Sequence, residues 1–148
     1  MPHRSSRRLS FPLVSMLLPM LLLIPLSAAA SDLVVSNAWV NVPDPDESPS
    51  AFFVIQNRGK EPRSIVGANS PKCDWIEIRR AVVKDGMMDS EKIEKMEIPA
   101  GGAVAFVPRG LFLSLVGLKP LASGESLAFE LELADGEKLP IEAIVRDQ

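Results

Sequence analysis

Few groups in this chain can do metal or nucleophilic chemistry: one histidine, one cysteine and six methionines among 148 residues. The histidine is His3, and Met1, Met16 and Met20 share the first thirty residues with it. Beyond residue 30 remain Cys73, Met87, Met88 and Met96. Without an imidazole, Ser–His and Cys–His nucleophilic schemes have no base. Ser90 and Ser114 have no activating partner in view. Glu130 and Glu132 alternate with apolar residues, which puts them on one solvated face of a strand. GANS, AGG and ASG are short turns rather than phosphate loops. The residue types therefore argue against an enzyme.

Metal chemistry has a thin basis. Met87 and Met88 are adjacent thioethers that suit a soft metal ion. They are equally ordinary fillers of a core or loop. Asp85, Asp89, Glu91, Glu94 and Glu97 crowd the same stretch, interleaved with Lys84, Lys92 and Lys95. That is the pattern of a solvated face with paired charges. Cys73 has no partner for an internal disulfide, so it is either buried or free to pair between chains.

The first thirty residues read as an export signal. MPHRSSRRLS carries Arg4, Arg7 and Arg8 and no acid, an apolar run follows from Phe11 to Leu26, and Ala28 and Ala30 give a small-x-small cleavage site. The run holds three prolines and is short for a membrane span of about 20 residues. The expected division is a signal peptide over 1–30 and one domain over 31–148. Cleavage would take three of 16 basic residues and none of 19 acidic ones, leaving thirteen against nineteen, a net charge of −6. An acidic chain without basic clusters argues against nucleic acid as a partner. No second long apolar run follows, so a soluble exported domain is expected.

The elements that must position any site are short strands. LAFELEL, 127–133, turns Leu127, Phe129, Leu131 and Leu133 one way and Glu130 and Glu132 the other. LPIEAIVRD repeats this with Ile141, Ala143 and Val145. Further strands are expected in DLVVSNAWV, AFFVIQN, RSIVGANS, CDWIEIRRAVV, AVAFVP and FLSLVGL. NVPDPDESPS, 41–50, is a polar loop, and Asp85-Gly86 is a hairpin signal. MMDSEKIEKMEIPAGG is expected as a loop followed by a short strand at Met96–Ile98. Seven to nine short strands imply an all-β sandwich or barrel in a single domain.

The order AWV, AFFVIQNRG, SPKCDWIEIRRAVVKDGMM, IPAGG at 98–102 and LKPL at 118–121 resembles the periplasmic copper chaperone family PCu(A)C. The resemblance covers the chain from VVSNAWV to EAIV. It implies a cupredoxin-like β-sandwich, a Greek-key barrel, located in the periplasm. It also implies a role in carrying Cu(I), in some members Cu(II), toward copper enzymes, with a periplasmic or membrane-bound copper protein as partner. The family holds copper through His, ten residues, Met, twenty-one residues, His, one residue, Met. Carried onto this chain, those four positions fall on Arg79, Ser90, Phe112 and Ser114. None is a copper ligand: guanidinium is a cation, phenyl has no lone pair, and the hydroxyls are hard donors.

The resemblance therefore implies a divergent accessory to copper delivery or cuproenzyme assembly that has lost the family copper site. Two alternatives stand beside it. One is a Cu(I) carrier with a relocated site at Met87 and Met88. The other is a non-metal interaction module using Arg79, Phe112 and Trp75, with Arg79 stacked on Phe112 as a cation–π pair. An interaction role expects Phe112 exposed; a packing role expects it buried.

Overall fold

The computed structural model describes Met1, residues 31–42 and residues 48–146. The expected signal peptide, His3 and the middle of the polar loop lie outside the described residues. The described part is all-β. Its strands are β1 Leu33–Asn41, β2 Ser50–Asn57, β3 Arg63–Asn69, β4 Trp75–Lys84 and β5 Met87–Lys92. The chain continues with β6 Met96–Ile98, β7 Ala103–Phe106, β8 Leu111–Val116, β9 Ser126–Leu133 and β10 Lys138–Arg146.

Eight of these strands close a barrel in the order β4–β8–β7–β2–β1–β10–β9–β3. The Ala68–Ile76 pair between β3 and β4 completes the ring. β5 extends the sheet beyond β4, and β6 extends it beyond β3. Among the described strands only β1–β10 and β7–β8 run parallel. Closure leaves few backbone edges to solvate or to mispair.

Alternation along each strand fills the interior. Leu127, Phe129, Leu131 and Leu133 of β9 are buried, as are Ile141, Ala143 and Val145 of β10. At the centre Phe53 stacks on Phe106, ring centroids 4.3 Å apart, and Phe129 tilts against Phe53 at 6.2 Å. Truncating a buried phenylalanine in such a layer costs about 3–5 kcal/mol.

The stretch Met87–Lys92, expected as a loop, is a strand that pairs with β4 along its whole length. The cause is the turn. Asp85 and Gly86 both adopt left-handed backbone, φ 50° and 76°, the geometry of a two-residue Asp-Gly hairpin. That turn sends the chain straight back along β4 whatever its apolar pattern. The strand count accordingly rises to ten.

Two local features aim the residues at the site. β1 carries one extra residue between Ser36 and Trp39, opposite Val54 to Phe52 of β2, with Asn37 left-handed at φ 53°. This bulge inverts the alternation. Leu33 faces the core before it and Val40 after it, so Trp39 and Asn41 turn to the outer face. At the end of β8, Gly117 lies at φ 66°, and a Cβ there would meet Asp74 Oδ2 at 2.1 Å. Only glycine fits that turn.

Candidate functional site

Three adjacent strands bring the four positions carried over from the resemblance together. β4 and β8 pair Glu77 with Ser114 and Arg79 with Phe112. β2 pairs Ser50 with Ser114, and β5 pairs Ser90 with Ala81. Cross-strand partners share a face. Arg79, Ser90, Phe112 and Ser114 therefore line one open surface pocket of about 470 Å³, together with Glu77, Ser48 and Ser50.

The pocket is organised around Arg79. Its Nη1 donates to Glu77 Oε2 at 2.8 Å, its Nε to Ser90 Oγ at 2.8 Å, and its Nη2 to the Ser90 carbonyl at 2.8 Å. Three faces of the guanidinium are thus committed within the pocket. Glu77 balances its charge within the pocket. Arg80 lies one residue on, points to the other side of β4 and approaches Glu91 at 3.9 Å. The expected stacking of Arg79 on Phe112 is replaced by these hydrogen bonds. The cation–π contact among the described residues is Arg146 over Trp39, 5.5 Å from the ring centroid. Phe112 is half-buried, as wall rather than filler or free anchor.

The other candidate ligands do not gather there. Met87 and Met88 are consecutive on a strand, so their side chains leave opposite faces of β5. They are 72% and 61% exposed. Met88 reaches the neighbouring cleft, whereas Met96 and Cys73 pack half-buried against the core. Burial, and then the nearby Asp74, push the Cys73 thiol up, which keeps it protonated and a poor ligand. Trp75 stands 55% exposed on the same face of β4 as Glu77 and Arg79. Among the described residues no three His, Cys, Asp or Glu side chains converge as a metal cluster. A guanidinium already bonded to a carboxylate, a phenyl ring and two hydroxyls does not fit a copper ion.

Beside this pocket runs a larger cleft of about 800 Å³. Asn41 and Phe52 form its buried floor, and Met88, Asp89, Pro108 and Arg109 its rim. Ser48, Ser50, Ser90 and Phe112 belong to both. Asp89 accepts a hydrogen bond from the Ser90 N–H at 2.7 Å and pairs with Lys84 at 3.3 Å. The backbone N–H, then Lys84, hold its carboxyl below the usual carboxylate range. Glu77, Asn41 and Arg109 were not foreseen. Glu77 had a readable signal, since residues two apart on a strand share a face; Asn41 needed the bulge, and Arg109 the turn.

Relatives agree with this architecture. The copper-bound PCuAC domain of PmoF2 superposes with a TM-score of 0.66 at 15% identity, over 81% of this chain and 97% of that domain. The Cu(I) form of DR1885 from Deinococcus radiodurans superposes at 0.65 with 28% identity, over 81% of each chain. The fold is thus the PCuAC-type cupredoxin-like β-barrel. In sequence, the putative lipoprotein Lxx21020 of Leifsonia xyli subsp. xyli is 30% identical over 120 residues, 80% of this chain and 72% of that protein. The description "putative lipoprotein LpqE-like" matches residues 33–145. With that span covering nearly the whole barrel, the chain belongs to the LpqE-like family of putative lipoproteins.

Proposed function

We propose that this protein is an exported, periplasmic accessory to copper delivery or cuproenzyme assembly that does not itself hold copper at the family position. The observation that carries this reading is the convergence of Arg79, Ser90, Phe112 and Ser114 on one pocket. Four positions separated by up to 35 residues in sequence meet where the resemblance expects a ligand set, and all four are non-ligands. The interior of the pocket supports it further. Glu77 and Ser90 satisfy Arg79 in place, so the residues at these positions form a hydrogen-bonded polar network. On this reading the partner is a copper-binding protein of the periplasm or membrane. It is engaged through the barrel surface rather than by passing an ion from these residues.

The test is an anaerobic Cu(I) titration against a chromophoric chelator, with Cu(II) run in parallel. The reading expects no competition for either ion. Stoichiometric Cu(I) binding that disappears in Met87→Leu/Met88→Leu would replace it with a relocated thioether site.

A further inference from the structure

We infer that Arg79 and Asp89 cap the outer edge of β5 and so keep this chain from pairing strand to strand with a second copy. β5 lies outside the eight-stranded ring, and among the described strands it pairs with β4 alone. Such an edge offers its outward N–H and C=O groups to any extended strand that arrives. Which groups point outward follows from the hairpin. The two-residue Asp85-Gly86 turn makes Lys84 and Met87 the first hydrogen-bonded pair. Hydrogen-bonded and non-hydrogen-bonded pairs then alternate, which makes Ala81 and Ser90 a non-hydrogen-bonded pair. Two contacts fix that phase. The Ala81 N–H turns away from β5 to the Gly110 carbonyl at 2.9 Å, and the Ile93 N–H reaches the Ile78 carbonyl at 2.8 Å. Ser90, in the middle of β5, therefore directs both of its backbone groups outward.

Both are already taken. The Ser90 N–H donates to Asp89 Oδ1 at 2.7 Å, and the Ser90 carbonyl accepts from Arg79 Nη2 at 2.8 Å. Asp89 and Ser90 leave opposite faces of the strand, so the two caps reach the edge from opposite sides. Each cap is itself held. Arg79 is fixed by Glu77 Oε2 and Ser90 Oγ, and Asp89 pairs with Lys84 at 3.3 Å. An arriving strand must displace two charge-assisted hydrogen bonds to gain two neutral ones.

The charges of the strand act in the same direction. Antiparallel two-fold pairing of β5 with another β5 can be centred on Asp89, Ser90 or Glu91. These registers set Asp89 opposite Asp89, Asp89 opposite Glu91, or Glu91 opposite Glu91. Like charges directly opposite one another destabilise a strand pair. The polar network around Arg79 thus has a task at the sheet edge, whether or not copper binds anywhere on the barrel.

The experiment is sedimentation velocity across a concentration series on protein purified after export. It compares the wild type, Arg79→Met/Asp89→Ala, and that double variant with Ser90→Pro added. The double variant should self-associate more strongly than the wild type. Ser90→Pro should reverse the gain, because proline at an outward position removes the donor without breaking a bond to β4. Hydrogen exchange gives a second reading: the Ser90 amide should exchange about tenfold faster in Asp89→Ala, which lacks one cap. Undisturbed β9 and β10 resonances report that each variant is folded, and Asp89→Ala decides the matter alone if the double variant unfolds. A folded double variant that associates no more than the wild type, a gain that survives Ser90→Pro, or an unchanged Ser90 amide would overturn the inference.

Discussion

Two buried asparagines mark the opposite ends of the β1–β2 pair, and they are treated in opposite ways. Asn57, fully buried, ends β2 beside the start of β1. Its Nδ2 donates to the carbonyls of Glu61 and Ile98 at 2.7 and 3.1 Å, and its Oδ1 accepts from the Gly59 N–H at 2.9 Å. Its own N–H reaches the Gly102 carbonyl at 2.8 Å. One side chain thus pins the turn after β2 to the end of β6. Asn41, at the other end, has an acceptor with no partner among the described residues. A saturated amide is a fastening, whereas Asn41 keeps a buried acceptor unsatisfied among the described residues. The difference separates the fastened end of the β1–β2 pair from the end that borders the Arg79 pocket.

That contrast can be broken most forcefully at Asn57. Asn57→Ala leaves two carbonyls and an N–H without their partner and should cost about 3 kcal/mol. Chemical denaturation measures it, and a loss below that expected of one ordinary surface change would end the distinction. Arg109→Gly should act the other way. Relief of a left-handed non-glycine residue should raise stability by about 1 kcal/mol, which a thermal melt reads directly. Asn41→Leu should leave stability unchanged or raise it by up to about 1 kcal/mol, since an unsatisfied buried acceptor is replaced by an apolar group. A large loss there would mean that Asn41 is a fastening after all.

The smallest effect concerns the structural end alone. Arg63 pairs with Asp135 at 2.9 Å and with Glu137. The hydrogen bond from Arg63 holds the Glu137 carboxyl below its ordinary value of 4.5. A carboxyl lowered in the folded state contributes stability that is present above its unfolded value. That contribution is lost as pH falls from about 4.5 through the lowered folded value. Part of the acid sensitivity should therefore vanish in Arg63→Gln. The neutral-pH cost should stay within about 1 kcal/mol, because the pair is partly solvated and screened by salt. Denaturation curves between pH 3 and 7 in both proteins give the comparison.

How much of this was legible in the sequence differs between the two ends. The barrel wall was readable where one strand face is buried: Leu127 to Leu133 and Ile141 to Val145 alternate without a break. β5 was missed because both its faces are largely solvated. MMDSEK has no apolar alternation, and its pairing follows from the Asp85-Gly86 turn. Arg79, Ser90, Phe112 and Ser114 were named through the resemblance alone, since nothing in their local sequence links them. Asn41 was illegible for a different reason. The polar run NVPDPDESPS reads as a loop from residue 41, whereas Asn41 ends β1, and the extra residue at the bulge decides which face it takes. Arg109 owes its interest to a backbone angle that its type disfavours, which no composition pattern records.

The central proposal is that the pocket of Arg79, Ser90, Phe112 and Ser114 stands where the resemblance to the PCu(A)C family expects copper, with the ligands replaced. Its most direct test is anaerobic Cu(I) competition titration of the wild type beside a variant carrying Arg79→His, Ser90→Met, Phe112→His and Ser114→Met. The account predicts no competition by the wild type and the gain of one tight Cu(I) site in the folded variant. A folded variant that still fails to compete, or a wild type that binds Cu(I) stoichiometrically, would contradict it.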